Sequence, residues 1–135
     1  HPSDVILSYI KKNEIKNIEQ LGYPQQVNIY KMLSKESKSH PIIIDAKDLL
    51  KNPRAMLMQI CEKIKIDFNV KMLSWPIGPR KTDGVWGQHW YKQVEASSSF
   101  KPFVKTEKNI PSKYIALHAQ CMGYYNFLYE KREIF

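Results

Sequence analysis

PIIIDAKDLLKNP, residues 41–53, is the stretch on which the fold class turns. Ile42, Ile43 and Ile44 are a short β-branched run with no polar face, which predicts a buried strand over Pro41–Asp45. Asn52 and Pro53 behind it form a cap and first-turn pair. They predict a helix from Pro53 to about Lys65, with Leu57, Ile60, Cys61 and Ile64 as its apolar stripe. No other stretch reads convincingly as a strand. A single strand makes no sheet, and buried backbone N–H and C=O groups have to be paired. The expectation is therefore an α/β chain, predominantly helical, whose missing strands come from an upstream segment or a partner chain.

The flanks read as helices. Pro2, Ser3 and Asp4 suit a helix start, and Val5, Ile6, Tyr9 and Ile10 recur at helical spacing within His1–Asn13. Leu21-Gly22-Tyr23-Pro24 is a break, followed by a helix from about Pro24 to Glu36 with Val27, Tyr30 and Leu33 on one face. Ser34–His40 is polar and turn-like. Toward the other end, Trp90–Ala96 reads as a short helical turn and Ser97–Pro111 as an extended connection. Ser112 reads as the cap of a last helix running to about Glu133. Its expected face is Ile115, Ala119, Met122, Asn126 and Tyr129, with Leu117, Tyr124 and Leu128 beside it. His118 and Cys121 lie three apart on that helix; two ligands are too few for a metal site, so a packed pair is expected.

The 135 residues amount to one domain's worth of chain, with 43% hydrophobic and 25% charged residues, an ordinary globular composition. A formal net charge of +8 points to an anionic partner. The lysines are scattered from Lys11 to Lys131, which suits a solvated basic surface better than a basic tail. Two isolated cysteines, Cys61 and Cys121, make no disulfide framework and suit a reducing, cytoplasmic setting. No apolar run is long enough to span a bilayer. The chain opens on His1-Pro2 instead of Met, which suggests processing or a piece of something longer.

Chemistry concentrates in Trp75–Tyr91, WPIGPRKTDGVWGQHWY, which holds all three tryptophans around Arg80-Lys81. Gly and Pro make it a loop, while the indoles call for burial. Arg offers a planar fork matched to phosphate or sulfate, and Lys adds a point charge. The stretch also reads as an ordinary ordered loop with two solvated basic residues.

HPSDVILS (residues 1–8), PIIIDAKDLLKNP (41–53) and GPRKTDGVW (78–86) together resemble the C-terminal half of a P-loop sulfotransferase. That family uses 3′-phosphoadenosine 5′-phosphosulfate as sulfuryl donor. The wording of Trp75–Phe103 is similar to bacterial sulfotransferase-like proteins. The first stretch resembles the family's Arg-x-Pro motif with a Ser eight positions after the Arg. Pro2 and Ser8 match, and the Arg would precede His1. The second resembles the family's strand, acidic residue, Asp-Leu pair and helix-starting Pro. The third resembles its Arg-Lys-Gly loop followed by Gly and Trp, matched by Arg80, Lys81, Gly84 and Trp86. Thr82 stands where the family has Gly, and the loop is one residue shorter.

The resemblance implies a P-loop-type parallel-sheet fold, of which residues 1–135 form a single portion. It implies that Ser8, Arg80, Lys81 and Trp86 bind the donor near its 3′-phosphate, with no metal. The partners implied are the nucleotide cofactor and a small hydroxyl or amine acceptor. The family's phosphosulfate loop and catalytic His lie upstream, and His40, His89 and His118 do not fall at its base position, so no catalytic residue is named. Two other readings stand beside this one: a basic, Trp-rich non-catalytic module holding nucleic acid or another anion, and a relative that kept the fold and lost the cofactor.

Overall fold

The computed structural model describes residues 1–36, 41–85, 87, 91–105 and 108–134. These fall into two compact units, residues 1–46 with 105–134, and residues 47–104.

The first unit is built on α1 (Pro2–Tyr9), α2 (Tyr23–Glu36) and the long C-terminal helix (Ile115–Tyr129), with short 3₁₀ turns at Ile18–Leu21 and Ser112–Tyr114. α1 starts where the sequence places it. Pro2 occupies the first turn, where its missing N–H costs nothing, and the His1 ring accepts from the Ser3 N–H at 3.3 Å. The helix is shorter than expected and gives way to a turn after Tyr9. The break before α2 has a clear cause. Asn17 and Gln20 cap each other reciprocally, and Gly22 takes a left-handed φ of 76° that redirects the chain into Tyr23.

The core of this unit joins Ile6, Ile15, Leu21, Tyr23, Tyr114 and Cys121. Ile6 is fully buried, worth about 1.5–3 kcal/mol of apolar transfer. The face that the C-terminal helix buries differs from the expected one. Cys121 is fully buried and Leu117 and Tyr125 pack against the core, whereas Ile115 is 58% exposed. Ser112 also opens a 3₁₀ turn and makes no side-chain cap.

Pro41–Asp45 lies in this unit without regular structure. The Ile43 carbonyl accepts from the Glu133 N–H at 2.9 Å, and Asp45, 7% exposed, accepts from the Tyr125 hydroxyl at 2.8 Å. Among the described residues there is no strand; the one extended pairing is an isolated antiparallel bridge between Ser74 and Ser99.

The second unit begins in α3 (Ala46–Lys51), a helix too short to show a period in the sequence, and continues into α4 (Pro53–Ile64). Asn52 caps α4 as expected, its side chain accepting from the Ala55 N–H at 3.2 Å. The buried residues of α4 are Met56 and Cys61, while Ile64 of the expected stripe is 50% exposed. Lys65 ends the helix with a left-handed φ of 60°, and Ile66 N–H reaches back to the Cys61 carbonyl at 2.9 Å. A 3₁₀ turn at Val70–Leu73 leads into the tryptophan loop, and α5 (Lys92–Glu95) follows it within the expected helical turn. The C-terminal helix of the first unit is α6.

Candidate functional site

The loop expected to carry chemistry is held at its neck by Trp75. The Trp75 backbone N–H donates to the Ser98 carbonyl at 2.9 Å, and its indole N–H donates to the Ser97 hydroxyl at 3.1 Å. Ser97 in turn donates to the Val94 carbonyl at 2.7 Å. The indole meets Phe100 edge-on, with centroids 5.3 Å apart. One step further in, Gly78, at φ 108°, donates its N–H to the Glu95 carbonyl at 2.8 Å. No other residue type adopts that φ without strain, so the glycine fixes where the loop springs from α5.

Arg80–Asp83 forms the tip. The Asp83 N–H donates to the Arg80 carbonyl at 3.0 Å, and the Arg80 N–H donates to the Asp83 carboxylate at 2.8 Å. The side chain of Asp83 thus closes the turn from the other direction, as Asx side chains do. Gly84 follows at φ 52°, and the Gly87 N–H donates to the Gly84 carbonyl at 3.2 Å. The result is an open groove of about 450 Å³ lined by Arg80, Lys81, Asp83, Gly84 and Glu95 among others. Arg80 and Lys81 are both exposed.

Arg80 has a planar donor fork free to face solvent, and Lys81 stands beside it. The lining also carries two carboxylates, Asp83 and Glu95. Asp83 is engaged with backbone, which fixes it in place. The two cations stand out in the sequence by residue type; the two acids do not, and the Asp83-Gly84 pair signals only a turn.

Of the other expected site residues, Ser8 lies in the first unit, exposed on α1. Among the described residues no hydrogen bond ties its hydroxyl to the turn before it. Arg80 and Lys81 belong to the second unit. Trp86 lies outside the described residues, as do His40, His89 and Trp90.

His118 and Cys121 have separate roles. His118 Nε2 sits 3.0 Å from the Ser3 hydroxyl, a contact across 115 positions of sequence. Cys121 is fully buried, and burial pushes its thiol above the usual range. Among the described residues no group of three or more His, Cys, Asp or Glu side chains is placed to hold a metal ion. Beside His118, the His1 ring meets Tyr125 edge-on at 5.1 Å. Burial first, then the hydrogen bond to Asp45, push the Tyr125 hydroxyl well above its ordinary value.

Among the described residues no helix is long and apolar enough to cross a membrane. No solved structure matches the chain. Two curated proteins of Arabidopsis thaliana are similar to it. Branched-chain-amino-acid aminotransferase-like protein 2 is 33% identical over 123 residues, 91% of this chain and 22% of that protein. Branched-chain-amino-acid aminotransferase-like protein 1 is 32% identical over 128 residues, 95% of this chain and 23% of that protein. The chain thus spans under a quarter of the length of these relatives. The model of the sulfotransferase domain family matches residues 1–131, nearly the whole chain, including the α1, Pro41–Pro53 and Arg80-Lys81 stretches. The chain belongs to the sulfotransferase domain family.

Proposed function

We propose that this chain supplies donor-binding elements for transfer of a sulfuryl group from 3′-phosphoadenosine 5′-phosphosulfate to a hydroxyl or amine acceptor. One observation carries the reading: Arg80 and Lys81 stand exposed on a turn that its own hydrogen bonds hold in shape, over an open groove of about 450 Å³. The donor, when bound, supplies an activated sulfuryl group whose leaving side is a nucleotide phosphate.

The residues of this chain do the binding and orienting. Arg80 grips a terminal phosphate through two parallel N–H donors, and Lys81 adds positive charge beside it. The hydroxyl of Ser8, in the first unit, can donate to a phosphate oxygen, the role that its match to the family's motif implies. Trp86 is assigned to the same cofactor on the motif it shares with the family. Sulfuryl transfer, like phosphoryl transfer, depends chiefly on positioning and on stabilising charge as it develops. Anchoring the nucleotide at a point remote from the reacting bond serves the first of these. The acidic lining of the groove limits how much anion it attracts non-specifically.

The test is a calorimetric titration of the intact protein with adenosine 3′,5′-bisphosphate, the product nucleotide. Binding is expected, and Arg80→Ala weakens it by about tenfold or more, as loss of a charged hydrogen bond does. Binding that is indifferent to Arg80→Ala removes Arg80 from the site. A folded parent protein with no affinity for the bisphosphate favours the reading in which Thr82, standing in place of the family's Gly, marks a relative that has lost the cofactor.

A further inference from the structure

We infer that Asp83 is a positioning residue for Arg80, an acid whose function is to hold a base in place for an anion that the acid itself repels. The inference rests on the sulfuryl-donor reading above and extends it to a residue that carries no positive charge.

Three observations meet at Asp83. Its carboxylate accepts the Arg80 N–H at 2.8 Å while its own N–H donates to the Arg80 carbonyl at 3.0 Å, so the turn is closed twice. Its side chain is partly buried although Arg80, Lys81 and Thr82 on the same turn are exposed. Gly87, itself buried, comes up against it: a Cβ on Gly87 would sit 3.1 Å from the Asp83 Cβ. The chain therefore leaves room at position 87 for the stem of Asp83. The Tyr91 N–H donates to the Gly87 carbonyl at 2.8 Å, which secures Gly87.

Electrostatics and positioning predict opposite signs here. A carboxylate a few ångströms from a bound phosphate repels it, so on charge alone removing Asp83 tightens binding. Positioning predicts the reverse. Without its side-chain closure the Arg80 backbone regains conformational freedom, which must be lost again whenever the guanidinium grips the anion. Asparagine separates the two, since it keeps the accepting oxygen and drops the charge.

The experiment compares the parent protein with Asp83→Ala, Asp83→Asn and Gly87→Ala, titrating each with adenosine 3′,5′-bisphosphate. NMR measures in each the exchange rate of the Arg80 amide proton with water. Asp83→Ala is expected to weaken the bisphosphate about fivefold or more and to speed exchange of the Arg80 amide. Asp83→Asn restores parental affinity or exceeds it, and keeps the amide slow. Gly87→Ala, which crowds Asp83 without touching its carboxylate, follows Asp83→Ala in direction on both readouts. Asp83→Ala binding as tightly as the parent, or more tightly, overturns the inference. So does an Arg80 amide that exchanges at the same rate in parent and Asp83→Ala, whatever the ligand does. A parent protein that shows the slow amide yet does not bind the bisphosphate overturns the sulfuryl-donor reading, and this assignment with it. That last failure is told apart from the others because the tether survives it.

Discussion

Arg80 and Lys81 are neighbours in sequence and both exposed, yet they are not interchangeable. Arg presents a rigid fork that fits two phosphate oxygens at once, whereas Lys is a compact charge on a flexible stem. The turn holds Arg80 by its own backbone N–H, so the root of that side chain has a fixed direction. Lys81 has no such tether from Asp83. Arg80→Lys is therefore expected to lose most of what Arg80→Ala loses, about fivefold or more in bisphosphate affinity, because the fork is gone though the charge remains. Lys81→Arg is expected to stay within about twofold of the parent. Calorimetry on the two variants checks the asymmetry, and equal losses would remove the bidentate role of Arg80. The two cations were legible in the sequence because the chemistry of a basic pair in a Gly- and Pro-rich loop is visible in residue type alone. Asp83 was legible only as a turn former. Its bond to Arg80 depends on the side chain turning back on the chain, and Asp tolerates several other conformations. The contact between Ser3 and His118 was beyond sequence reading altogether, since nothing in either segment marks the other as its neighbour across 115 positions.

Helix starts were the most legible elements. Asn52-Pro53 and Pro2 announce theirs because capping is local chemistry, satisfied within one turn. Helix faces were less so. α6 is apolar nearly all round, so several stripes satisfy the same period, and the choice of Cys121, Leu117 and Tyr125 is made by what they pack against. α3 has six residues, too few to show a period at all. Tyr125 on α6 offers a test at this scale. Its hydroxyl donates to the buried Asp45 at 2.8 Å, and burial with that bond raises its pKa above the ordinary tyrosine value of 10.0. A raised folded-state pKa contributes stability that is fully present below the unfolded pKa and is lost as pH rises through the folded one. The first unit is thus expected to lose stability on the alkaline side, above about pH 10. Tyr23, raised mainly by burial, adds to the same loss. Tyr125→Phe is expected to be less stable at neutral pH by about 1 kcal/mol, having lost its hydrogen bond to the buried Asp45. Its further decline above pH 10 is expected to be shallower, with Tyr23 supplying the remainder. Denaturant unfolding at neutral and alkaline pH measures both, and an unchanged alkaline slope would detach Tyr125 from it.

At the scale of the whole molecule, the unexplained element is Pro41–Asp45. Three consecutive isoleucines read as a buried strand, yet Ile44 is 40% exposed, and among the described residues the backbone of Ile42–Ile44 is engaged at the Ile43 carbonyl alone. A β-branched run of this kind, with backbone donors directed elsewhere than into a ladder, fits an edge prepared for pairing. The chain covers under a quarter of its curated relatives, so the length from which pairing strands could come is ample in proteins of that size. We propose that in a longer protein containing residues 1–135 this stretch joins the parallel sheet of a P-loop-type fold; among the described residues of the 135-residue chain Ile42–Ile44 meet no partner strand. The net charge of +8 does not bear on this, because its lysines are spread along the chain and set solubility and anion attraction more than fold. Backbone pairing is a local event, and amide exchange reads it residue by residue. The Ile42, Ile43 and Ile44 amides are expected to exchange within minutes in the isolated chain. In the longer protein at least two of them are expected to slow by about a hundredfold or more, since a residue in a ladder places its N–H in a hydrogen bond and its side chains against the layers on either face. A Pro substitution supplies a second arm. Ile43→Pro removes one donor; it is expected to be tolerated in the isolated chain, where no described residue accepts from that N–H, and to lower the unfolding midpoint of the longer protein if the donor there joins a sheet. Amides equally fast in both contexts, with Ile43→Pro equally mild in both, would take Pro41–Asp45 out of the sheet and leave the sulfotransferase domain to build its strands from other residues.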